Sequence, residues 1–110
     1  MKFQLVLLTL IISASAVAAE IPLNVPSDPK ALFFVLEKGG SESERTIVTK
    51  RVGSSGTGYS KRLYNCADNT VKYLGTGDSL EAMNKSNPDP KMGSISEGSI
   101  AYYVGFEACK

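Results

Sequence analysis

Apolar residues fall along this chain in short blocks, and the spacing within each block predicts an element. Residues 3–12 form the longest apolar run, behind a basic start (Met1-Lys2) and ahead of the small-residue stretch Ser13-Ala14-Ser15-Ala16-Val17-Ala18-Ala19. A basic start, an apolar segment and a small-residue exit predict a secretory signal peptide over residues 1–19. The run is too short to cross a bilayer, which takes about 20 apolar residues, and no later block is longer. Residues 20–110 are therefore expected to be a single small exported domain, periplasmic or extracellular, with no transmembrane segment.

Past the signal, Pro22, Pro26 and Pro29 predict an extended lead-in over residues 20–30. Residues 31–38 are apolar on both parities and end at Gly39-Gly40, the pattern of a strand covered on both faces. In residues 46–52, Ile47, Thr49 and Arg51 alternate with Val48, Lys50 and Val52, which predicts a second strand. Gly53–Gly58 reads as a flexible connection. Residues 59–66 and 70–74 then predict a hairpin, turned at Asp68-Asn69, two residues that tolerate left-handed backbone.

The period changes at Asp78-Ser79-Leu80-Glu81, the spacing of a capping box with Asp78 as N-cap. A short helix through Lys85 should follow, stopped at Asn87-Pro88. In residues 99–110, Ile100, Tyr103 and Val104 share a helical face behind Ser99, a good N-cap. Gly105 and the β-preferring side chains pull the other way, and helix is the expectation. These blocks add up to an α+β fold: a small antiparallel sheet of about four strands packed against a C-terminal helix.

Charge narrows the function. The chain has 12 Lys+Arg and 11 Asp+Glu, and losing Lys2 with the signal leaves 11 against 11. That balance argues against a nucleic-acid partner and against a polybasic membrane-surface protein. With no His, the commonest general base and zinc ligand are missing. The acidic residues show no calcium-loop spacing, so neither a metal nor another cofactor is expected, and the chain reads as a non-enzyme. Cys66 and Cys109, an even count in an exported chain, predict one disulfide.

Gly53–Gly58 lacks the Lys-Ser/Thr ending of a phosphate loop. Arg51, Lys61 and Arg62, with Lys50, would gather at one end of the sheet if their strands are neighbours. Such a patch would meet an anionic group of an envelope or extracellular partner, a protein or an anionic glycan.

Tyr59-Ser60-Lys61-Arg62-Leu63-Tyr64-Asn65-Cys66, then Val71-Lys72-Tyr73-Leu74, then Gly98-Ser99 leading into Ala108-Cys109, resemble the surface-adhesin protein E-like family. The resemblance covers about the C-terminal half, and the two-cysteine layout is its most specific part. It implies an antiparallel sheet on a C-terminal helix, with Cys66 and Cys109 joining the two, in an exported binding or structural module. Separately, Ser55-Gly56-Thr57-Gly58-Tyr59 is similar to the Ser-Gly-x-x-Tyr loop of small periplasmic inhibitors of c-type lysozyme. In that family the Tyr-x-Cys strand precedes the loop, whereas Tyr64-Asn65-Cys66 follows it here. The alternative function is thus a protein inhibitor of an envelope-active hydrolase, with Ser55 and Tyr59 as the inhibitory loop.

Overall fold

Alternating blocks joined by tight turns build a meander. The computed structural model describes residues 20–110, so the signal peptide expected over residues 1–19 lies outside the described residues. Its strands are β1 (Ile21–Leu23), β2 (Leu32–Ser41), β3 (Glu44–Gly53), β4 (Gly56–Asn65), β5 (Thr70–Gly77) and β6 (Gly93–Ser94). All six lie in one antiparallel sheet in sequence order. The helices are α1 (Leu80–Lys85) and α2 (Ile100–Ala108).

The expected α+β fold of about four strands is therefore corrected: the described chain is mainly β, six strands with two short helices. The two missed strands sit at the sheet's edges, where pattern is weakest. β1 contains Pro22, which an edge strand tolerates because one side of its backbone needs no partner. β6 is two residues long and carries no periodicity.

The glycine-rich stretches are strand as well. Ser41 pairs with Glu44 across a two-residue turn, so β2 runs straight through Gly39-Gly40. Gly40 has φ 82°, and a β-carbon there would collide with the Glu44 carbonyl oxygen. Gly53 likewise pairs with Gly56, so the expected flexible connection is a tight turn at Ser54-Ser55.

The hairpin over residues 59–74 forms as read, with Asn69 in the left-handed region at φ 55°. Asn65 Oδ1 accepts from the backbone N–H groups of Ala67 and Asp68, which fixes the turn. At α1 the N-cap is Ser79, whose hydroxyl accepts from the Ala82 N–H at 3.0 Å, and not Asp78. Ser99 caps α2 as expected, accepting from Tyr102. Beyond α1 the chain seals the edge of β5. The Asp89 N–H donates to the Tyr73 carbonyl, the Tyr73 N–H donates to the Asp89 carboxylate, and the Thr76 N–H donates to the Ser86 hydroxyl.

Alternation gives the sheet two faces, and each receives one helix. On one face Val35, Ile47 and Tyr64 pack with Val104 and Ala108 of α2 to make the core. Tyr64 is fully buried and its hydroxyl donates to the Ala101 carbonyl at 2.6 Å. Gly105 is the price of that fit, since a β-carbon there would lie 2.9 Å from the Tyr64 ring. Cys66, just past β4, is bridged to Cys109, just past α2, as the cysteine count predicted. The bridge spans 43 residues in sequence. On the chain-entropy estimate a loop of that size contributes about 4 kcal/mol.

Burial pushes the Tyr64 phenol well above its ordinary pKa, with nearby Arg62 partly opposing the shift. The folded state thus holds this proton more tightly than the unfolded chain, so its contribution is complete below about pH 10 and shrinks as pH rises further. Tyr64→Phe should cost about 1 kcal/mol at neutral pH through the lost hydrogen bond. It should also lose stability less steeply than the native protein above about pH 10. Urea unfolding of both proteins across the alkaline range checks this, and parallel pH curves would refute it.

Candidate functional site

The other face of the sheet carries a cleft, and local backbone features build each of its walls. In β2 the register shifts between Val35 and Glu37, a bulge that leaves Leu36 as an extra residue. Leu36 and Glu37, though consecutive, both line the cleft as its first wall. The floor follows from register. Glu37 pairs with Val48, Val48 with Lys61, and Lys61 with Gly75, so the four form one row across β2, β3, β4 and β5.

The opposite wall is α1. It can lie close to β5 because Gly75 and Gly77 carry no side chain on this face. A β-carbon on Gly75 would collide with the Met83 carbonyl, and one on Gly77 would lie 2.6 Å from the Met83 nitrogen. Met83 and Val48 are each 4% exposed, and Leu80 stands at the rim. The resulting cleft of about 320 Å3 is lined by Leu36, Val48, Leu80 and Met83, with Glu20, Glu37, Tyr59, Lys61 and Asn84 among them.

Its electrostatics come down to two side chains. Glu20 is occupied by Lys50, whose ammonium donates to it at 2.9 Å and also lies 5.8 Å from the centre of the Phe34 ring. That hydrogen bond raises the Lys50 pKa, with the Glu20 charge adding to it. Glu37 and Lys61 form no ion pair among the described residues. They stand two strands apart, about 10 Å between Cα atoms at the usual strand spacing, with Val48 between them. A carboxylate and an ammonium flanking an apolar floor suit binding of a polar-ended, apolar-bodied molecule.

Two other concavities lack that combination. A groove of about 180 Å3 beside the disulfide has no charged lining residue. In the hollow around the proline-rich lead-in, Asp28 already pairs with Arg51 at 2.7 Å.

The sequence-predicted residues are dispersed. Register puts β3 beside β4, but alternation sends Arg51 and Arg62 to the α2 face and Lys50 and Lys61 to the cleft face. Arg51 is held by Asp28, a hydrogen bond that raises its pKa. Arg62 is buried. Its guanidinium donates to the hydroxyls of Thr49 and Tyr73 and stacks 4.8 Å from the Tyr73 ring, while Nε has no partner among the described residues. Of Arg51, Lys61 and Arg62, the cleft receives Lys61.

Ser55 and Tyr59 are separated too. Ser55 sits in the tight turn, and Tyr59 lies within β4 at the cleft wall, opposite Lys50. Leu36, Glu37, Val48 and Met83 were not singled out by sequence reasoning. The available signal was the Gly75-x-Gly77 pair ahead of a helix start, which marks close backbone approach inside a strand.

Comparison with known proteins finds no matching family model, no matching curated protein and no matching solved structure.

The glycine docking of α1 yields a direct test. Gly75→Ala should push α1 off β5 and destabilise the protein by about 1–3 kcal/mol, the usual range for overpacking. Hydrogen exchange should show faster exchange in α1 with α2 still protected. Unchanged protection of α1 would mean that the glycine does not set the cleft wall.

Proposed function

We propose that this chain is a non-enzymatic exported binding module that takes a small polar-ended ligand in the cleft between β2 and α1. The observation that carries this reading is the row Glu37–Val48–Lys61, opposite charges flanking a buried apolar floor without pairing to each other. A non-enzymatic role is supported by the absence of His from the sequence and by the commitment of both cysteines to the bridge.

The disulfide points to an oxidising location, and no helix among the described residues is long and apolar enough to cross a membrane. A periplasmic or extracellular site of action is part of this proposal, supported by that bridge and by the signal-like residues 1–19. Kinship with the surface-adhesin protein E-like family belongs to the same proposal and rests on the two-cysteine layout. The envelope partner first attached to three cations is narrowed to a group that meets Lys61.

Amide chemical shifts measured against a panel of small anionic, cationic and zwitterionic compounds test the reading. Binders should move the amides of Glu37, Val48, Lys61 and Met83 together. Shifts confined to other surfaces, or none with any compound, would remove the cleft as a site. A residual-activity assay separates the inhibitor alternative. C-type lysozyme should stay fully active with the oxidised protein at micromolar concentration, because Ser55 and Tyr59 do not share one protruding loop. Strong inhibition lost in Ser55→Ala or Tyr59→Ala would replace the cleft reading with the inhibitor one.

A further inference from the structure

We infer that the ligand of this cleft is a short zwitterionic peptide of two or three residues. Its ammonium end lies at Glu37, its carboxylate end at Lys61, and an apolar side chain on Val48 and Met83. The inference rests on the cleft-binding reading and adds the chemical class.

Charge excludes the alternatives first. Glu20 is neutralised by Lys50, so among the described residues the cleft presents one free carboxylate, Glu37, and one free ammonium, Lys61. A polyanion would be drawn to Lys61 and repelled at Glu37, and a polycation the reverse. A dipolar ligand satisfies both ends at once.

Length comes next. Glu37 and Lys61 are held about 10 Å apart at their Cα atoms by two strand spacings. An extended chain advances about 3.3–3.6 Å per residue, so the terminal charges of a dipeptide or tripeptide fall within reach of both side chains. The cleft of about 320 Å3 lies near the lower end of ligand sites, which admits a molecule of this size and not a folded partner.

The remaining lining supplies what a peptide body needs. Leu36 and Leu80, with the nearly buried Val48 and Met83 beneath them, offer an apolar surface for one side chain. Tyr59 of β4 and Asn84 of α1 also line the cleft and can donate to or accept from a peptide amide.

Titration calorimetry with Ala-Val-Ala tests the assignment on the oxidised protein, alongside the N-acetylated and C-amidated forms of the same peptide. The free tripeptide should bind. Blocking either end should weaken binding about tenfold or more, the usual worth of a hydrogen bond to a charged group. Glu37→Gln should abolish the penalty of acetylation and keep that of amidation, and Lys61→Gln should do the opposite. Lys91→Gln, exposed and outside the cleft, should change neither. Because the ends are blocked on the peptide, the native protein alone already discriminates between the outcomes.

Equal binding of free and blocked peptides would overturn the inference, as would penalties that fail to follow the two variants. Failure of all three peptides, with other compounds still moving the Glu37, Val48, Lys61 and Met83 amides, would overturn the peptide class and leave the cleft reading standing. Failure of both experiments would remove the two together.

Discussion

The burial of Tyr64 beneath α2 is the interaction on which the rest of this fold depends. A phenol buried there needs room against the helix and a partner for its hydroxyl. Gly105 provides the room and Ala101 the acceptor. Gly105 is thus at once a local weakness in the helix and the condition for docking it. The side chains at Ile100, Tyr102, Tyr103 and Val104 would suit a strand, yet burial of Val104 and Ala108 against Ile47 and Tyr64 outweighs that preference. The disulfide then closes the same unit, joining the residue after β4 to the residue after α2.

The opposite face uses a second glycine device for a different end. Gly75 and Gly77 let α1 approach backbone to backbone, so the helix packs mainly on β5 and reaches β4 beside it. The uncovered strip between α1 and the bulge in β2 becomes the cleft. On the α2 face a glycine admits a partner's large side chain, which packs against the helix backbone. On the α1 face the glycines admit backbone, and the interface stays open beside them. One residue type produces a core in the first case and a cleft in the second.

Much of the sheet was legible in the sequence because residues 46–52 alternate cleanly and Asp68-Asn69 marks a turn. The helix start at Ser99, the helix end at Lys85 and the bridged cysteines were legible for equally local reasons. What escaped was set by partners distant in sequence. β1 is a strand because β2 offers an edge beside Pro22, and Gly53 and Gly56–Gly58 are strand because a two-residue turn at Ser54-Ser55 leaves Gly53 opposite Gly56. The cation patch failed on alternation itself. Lys50-Arg51 and Lys61-Arg62 are consecutive pairs, so each pair is split between the faces, and Arg51 and Arg62 find Asp28, Thr49 and Tyr73 there. The cleft was invisible because its first wall depends on a bulge, which shifts Glu37 into register with Val48.

This division of labour has an energetic sense. A six-residue helix such as α1 falls far below the ~12–15 residues at which isolated helices become even marginal, so docking alone keeps it folded. Its Glu81–Lys85 pair is exposed, and pairs of that kind add little. By contrast α2 is held by a filled core, a buried tyrosine and a covalent bridge. Stability is therefore concentrated on one face of the sheet, and the cleft lies on the other, walled by the shorter helix. Binding sites are drawn from the less stable parts of a structure because their walls must adjust to an occupant. In a domain this small, adjustment on one face is tolerable when the other is clamped. The bridge ties the α2 face to the sheet, so a loosening of α1 on the other face would leave the sheet beneath it held.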